Sequence, residues 1–143
     1  MWRDIIHYAE ATSTNDLARD HATNGADEGT LVTADFQAAG RGRQGRSWVA
    51  PAGSSLLCSL VLRPPSSVAH SAWLTLAGSL AVVDALVEVT ALEPRLKWPN
   101  DVLLAGRKVA GVLAESFREG NGAVCVLGLG VNVNQQADDF PPE

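Results

Sequence analysis

The chain is 143 residues long and 46 % hydrophobic, enough for one globular domain with an ordinary core. Its formal net charge of −5 argues against general nucleic-acid binding, which normally takes a basic face. No uncharged apolar run reaches about eighteen residues, so no bilayer span is expected, and "MWRDIIHYAEATSTND" lacks the apolar core of a secretory signal.

In chain order, "DIIHYAEA" (residues 4–11) reads as a short strand, and "TSTNDLARDHA" (12–22) as a helix with Ser13 or Thr14 placed to cap it. "GTLVTADFQ" (29–37) is a strand of β-branched and apolar residues entered through Gly29. Residues 40–54, rich in glycine and proline, read as a long loop. "SSLLCSLVLR" (54–63) is a second buried strand closed by Pro64 and Pro65. From Val68 to about Val89 the apolar residues follow helical spacing on one face. Leu74, Ala81 and Leu86 fall on the other face, so this helix is expected to be covered on most sides. "RLKWPNDVLL" (95–104), "KVAGVLAESF" (108–117) and "AVCVLGLGVNVN" (123–134) then read as three successive strands, the last two a hairpin. The tail "QQADDFPPE" is polar and turn-like. Together these predict an α+β fold, a mixed and largely antiparallel sheet with helices packed on it.

Cys58 and Cys125 both lie in apolar segments, which predicts buried free thiols in a reducing compartment and hence a cytoplasmic protein. His7, His21 and His70 are scattered, and no Cys/His cluster has zinc spacing, so a structural metal is not expected.

"GRGRQGRSW" (40–48) puts a local positive spot in an acidic chain. Gly40, Gly42 and Gly45 fit G-x-G-x-x-G, but a dinucleotide fingerprint needs a helix directly after it, and Pro51 and Gly53 rule one out. A Walker A loop fails as well, since no Lys-Ser/Thr follows the glycines. What remains is a flexible basic loop whose backbone N–H groups and arginine forks suit phosphate or carboxylate oxygens. A solvated surface loop with incidental arginines stays open on composition alone; an Arg-Gly contact with RNA is disfavoured by the net charge.

The chain has two lysines, Lys97 and Lys108, against nine arginines, and both fall in "LKWPNDVLLAGRKVAGVLAES". A lysine kept where arginine serves elsewhere suggests a need for a compact point charge. Asn100 and Asp101 suit a Pro-Asn-Asp turn; with lysines on both sides, a Mg²⁺–phosphate site competes with that reading for Asp101. In "LGLGVNVN", Gly128 and Gly130 interrupt an apolar strand, which marks a bulge or a flat wall for a ligand.

"TSTND", "ADFQAAGRGRQGRSW", "LKWPNDVLLAGRKVAGVLAE" and "LGLGVNVN", in this order, resemble the catalytic domain of biotin protein ligases (biotin–acetyl-CoA-carboxylase ligases). The resemblance runs over nearly the whole chain. It implies that Ser13, Thr14, Asn15 and Gln37 bind biotin, the first three through its ureido ring. It also implies that Gly40, Arg41, Gly42 and Arg43 fold over biotin and the activated intermediate. Arg46 and Trp48 then fall near the nucleotide, together with Lys97, Asn100 and Asn132, and Asp101 takes the metal. Lys108 would reach the biotin carboxylate and the α-phosphate, while Gly111, Gly128 and Gly130 line the biotin pocket. Arg43 and Lys108 are the implied catalytic pair.

The implied activity is ATP- and Mg²⁺-dependent conversion of biotin to biotinyl-5′-AMP, then transfer of biotin to a lysine of a biotin carboxyl carrier protein. The resemblance allows a homodimer and implies no nucleic-acid or membrane partner. Residues 1–143 are read as the catalytic domain, incomplete at the C-terminus, with no N-terminal helix-turn-helix and no C-terminal SH3-like domain. Two alternatives are a lipoate-type ligase or acyltransferase, which needs a longer apolar tunnel, and a truncated non-catalytic biotin-binding module.

Overall fold

The computed structural model describes residues 4–65, 70–120 and 122–140. Strand β1 (Ile5–Ala11) leads into helix α1 (Thr14–Thr23), then β2 (Leu31–Gln37) and β3 (Ser55–Leu62). Helix α2 (Ser71–Thr90) is followed by β4 (Arg95–Lys97), β5 (Asp101–Leu104), β6 (Arg107–Glu119) and β7 (Gly122–Asn132). The strands form one seven-stranded sheet in the order β1-β2-β3-β7-β6-β5-β4. β1 and β2 pair in parallel, with α1 as the crossover that parallel pairing requires, and the other neighbours are antiparallel. The mixed α+β sheet expected from the sequence is what forms.

Strand alternation splits the core in two. Along β7, Val124 and Val126 pack with Ala18 and Ala22 of α1, whereas Cys125 and Leu127 pack with Val82 of α2. Successive side chains of a strand point to opposite faces, so the two helices cover opposite faces of the sheet. Continuing along the α1 face of β7, the next two positions are Gly128 and Gly130. The apolar floor under α1 therefore gives way to bare backbone just beyond the N-terminus of that helix. Asn15 and Trp48 are seated on that bare backbone.

Three local expectations need correction. "RLKWPNDVLL" is two antiparallel strands and not one: Lys97 pairs with Asp101 across the turn 98–100, where Pro99 has no N–H to donate to a ladder. Ser13 does occupy the N-cap of α1, but its hydroxyl makes no capping bond; its carbonyl accepts from Asp16 and Leu17 N–H instead. Helix α2 starts at Ser71, and residues 68 and 69 of the expected helix lie outside the described residues. Nor is α2 covered on most sides. Its sheet-facing residues are the small Thr75, Gly78, Ser79 and Val82, while Trp73 and Val89 stay 68 % and 75 % exposed. By length and composition α2 is long and apolar enough to cross a membrane, despite Asp84 and Glu88.

Candidate functional site

A pocket opens on the α1 face of the sheet, between the N-terminus of α1, the loop 40–48 and the glycines of β6 and β7. Its polar end is built on the helix start. Gln37, at the end of β2, accepts through Oε1 from Thr14 N at 2.7 Å and Thr14 Oγ1 at 3.0 Å. That fixes its amide and leaves Nε2 as the group able to donate to a ligand. Ser59, fully buried on β3, lies 2.6 Å from Asn15 Oδ1 and 2.8 Å from Thr14 Oγ1. Asn15 Nδ2 in turn donates to Glu115 Oε2 at 2.7 Å. A side chain at position 128 would put Cβ 2.2 Å from Asn15 Oδ1, so the glycine there makes room for this amide.

The loop is more ordered than its composition suggests. Trp48 N donates to Gly40 O, Arg41 bridges Ser47 as in an antiparallel ladder, and Gly42 N donates to Arg46 O at 2.7 Å. Residues 40–48 thus form a short finger closed by a single turn at Arg43–Gly45. Arg41, at its root, donates to Asp16 Oδ2 at 2.6 Å and Glu115 Oε2 at 3.0 Å. The bond to Asp16, supported by that to Glu115, raises the Arg41 pKa above its ordinary value against the opposing effect of partial burial. Arg43 and Arg46, further out, remain exposed on the pocket rim, with Arg43 Nη1 donating to Asn100 Oδ1 at 3.1 Å.

Opposite the finger, Lys108 Nζ stands 2.8 Å from Asp101 Oδ1. Asn100 Nδ2 donates to the same Oδ1 at 3.0 Å, so Oδ2 is the carboxylate oxygen left for another partner. One carboxylate suits a Mg²⁺ ion that arrives with phosphate oxygens; among the described residues no group of three or more acidic, His or Cys side chains makes a protein-only metal cage.

Trp48 lies deep in the pocket. A Cβ at position 130 would meet its indole at 2.6 Å, and one at position 111 at 3.0 Å, so these two glycines seat the ring on the sheet. Lys108 Nζ sits 5.5 Å from the ring centroid, within cation–π range. The indole Nε1 is buried and has no hydrogen-bond partner among the described residues.

Most residues singled out from the sequence meet here: Ser13, Thr14, Asn15, Gln37, Arg41, Gly42, Arg43, Arg46, Trp48, Asn100, Asp101, Lys108, Gly111, Gly128 and Gly130. Three do not line the pocket. Gly40 is at the finger root, where a side chain would strike Trp48 O at 2.5 Å. Asn132 donates to Lys108 O at 3.3 Å and steadies that strand, and Lys97 is exposed on the edge strand β4. Asp16, Ser59 and Glu115 escaped the sequence reading. A serine within "LLCSLVL" was the one available signal, since a hydroxyl in a buried strand must find a partner.

The site thus combines a polar end at the start of α1, a basic finger and a lysine–aspartate pair in a two-helix, mixed-sheet domain. Residues 8–132 match the biotin/lipoate A/B protein ligase family, and the chain belongs to it. It is 41 % identical over 144 residues to the bifunctional ligase/repressor BirA of Bacillus subtilis, spanning 100 % of this chain and 44 % of that protein. It is 40 % identical to the biotin–[acetyl-CoA-carboxylase] ligase of Mycobacterium tuberculosis, over 99 % of this chain and 54 % of the relative. The fold matches a biotin protein ligase from Aquifex aeolicus in complex with biotin and ATP, with a TM-score of 0.80 and 34 % identity, over 99 % of this chain and 56 % of the other. The chain spans about half the length of these relatives.

Proposed function

We propose that this chain binds biotin with its ureido head at Ser13, Thr14 and Gln37 and activates the biotin carboxylate with ATP. The observation that carries this reading is the single pocket that joins a fixed donor and acceptor array to Arg43, Arg46 and Lys108. A carboxylate oxygen attacks the α-phosphorus of ATP, the bond to the β-phosphate oxygen breaks, and pyrophosphate leaves. The biotin carboxylate and the triphosphate repel each other, and Lys108 and Arg43 screen that repulsion and stabilise charge on the phosphoryl oxygens. Asp101 would hold Mg²⁺, which supplies further charge neutralisation when bound. In a second step, a lysine amine of a biotin carboxyl carrier protein attacks the mixed-anhydride carbonyl, loses a proton and expels AMP. The finger shields the anhydride from water meanwhile.

A cytoplasmic setting belongs to this reading, supported by the buried free thiols of Cys58 and Cys125. The polar helix start, with the Ser13 hydroxyl and Gln37 Nε2 able to meet a ligand, favours biotin over lipoate, which lacks a ureido group. Calorimetry with biotin, lipoate and ATP, combined with a pyrophosphate assay, tests the proposal. Biotin binding with pyrophosphate release is the expected result. Lipoate preference overturns the substrate assignment, and biotin binding without turnover reduces the chain to a binding module.

A further inference from the structure

Glu115 lies on β6, between the polar end of the pocket and the root of the finger. Its Oε2 accepts from Asn15 Nδ2 at 2.7 Å and from Arg41 Nη2 at 3.0 Å. The far end of the Asn15 amide is held by Ser59, and the other fork of Arg41 by Asp16. One carboxylate oxygen therefore ties a buried amide at the start of α1 to the first arginine of the basic loop. The pair with Arg41 is partly exposed, so its direct contribution to folding is small. What it supplies is geometry: the same oxygen sets the recognising helix start and the closing loop.

We propose that Glu115 is a positioning residue of this site, fixing the buried Asn15 and with it the Ser13–Thr14 helix start that meets the ligand head group, and anchoring the finger through Arg41. The inference rests on the biotin reading above for its ligand arm alone. In E115Q a neutral carboxamide oxygen replaces the charged Oε2: it can still accept from Asn15, but its bond to the Arg41 guanidinium loses the charge assistance that makes carboxylate–guanidinium pairs strong. Recognition and closure should then loosen together.

The test uses E115Q, R41A and the double variant in the full chain. Biotin is titrated calorimetrically, and ligand-free protein is treated with trypsin while cleavage after Arg43 and Arg46 is followed by mass. E115Q and R41A are each expected to weaken biotin binding about tenfold, and the double variant little more than either alone, because both break one linkage. Cleavage within the finger should rise about fivefold in E115Q at an unchanged melting temperature. R41A, altered on the exposed finger, tests the same linkage should E115Q fold poorly. Additive losses in the double variant, or wild-type cleavage of the finger in both single variants, overturn the proposal. Wild-type protein that fails to bind biotin overturns the functional reading instead, and the trypsin arm still decides on the anchor.

Discussion

With its ammonium 2.8 Å from Asp101 and 5.5 Å from the Trp48 ring, Lys108 is the residue that the proposed function places between the biotin carboxylate and the α-phosphate. K108A is expected to slow pyrophosphate release by about two to three orders of magnitude, the scale for removing one donor from a preorganised site. Thermal melting should move little, because the Lys108–Asp101 pair is partly exposed. Gly128 makes the opposite kind of demand. In G128A the new Cβ presses on Asn15, so urea unfolding should show a loss of about 1–3 kcal/mol together with weaker biotin binding. Cys58 offers a pH readout: burial pushes its thiol from 9.0 up to about 11. A folded-state pKa above the unfolded one means the stabilising effect is complete below pH 9 and fades as pH rises towards 11. Urea unfolding of wild type and C58A at pH 8 and pH 11 should therefore show wild type losing more stability, by roughly 2–3 kcal/mol.

At the scale of elements, β7 organises the fold because its two faces serve different helices. Its α1 face runs from valines to glycines, and its α2 face stays apolar throughout. On that second face α2 approaches closely at Gly78, where a Cβ would meet Leu127 at 3.0 Å and Val112 at 3.2 Å. G78L should cost about 1–3 kcal/mol in chemical denaturation while leaving ligand affinity unaltered, since the strain falls on the face away from the pocket. Strand and helix positions were legible because period-2 and period-3.6 patterns are local. The split of "RLKWPNDVLL" was only half legible: Pro99, Asn100 and Asp101 marked a turn, but not that the residues on either side of it pair with each other. The exposed side of α2 was also hidden: an apolar helix reads the same whether neighbours cover it or not. Which face of a strand a glycine clears was equally invisible before the pairing was known.

Across the whole molecule, the cations of the pocket are set within a chain of net charge −5. Such a local field is screened by salt. Raising ionic strength from about 0.05 to 0.5 M should weaken ATP binding roughly tenfold by calorimetry, and biotin binding less, because the ureido end is neutral. The motif residues of the site could be named from sequence, but their division of labour could not. Arg41, grouped with Arg43 by its place in the loop, is committed to two carboxylates, and the residues that hold Asn15 come from strands distant in the chain.

The seating of Trp48 on bare backbone has a practical corollary. Trp73 and Trp98 are solvent-exposed and should emit at long wavelengths, whereas the half-covered indole beside Lys108 should emit to the blue. Occupancy of the cleft could then be followed by fluorescence with no added label, the lining of the chamber acting as its own gauge.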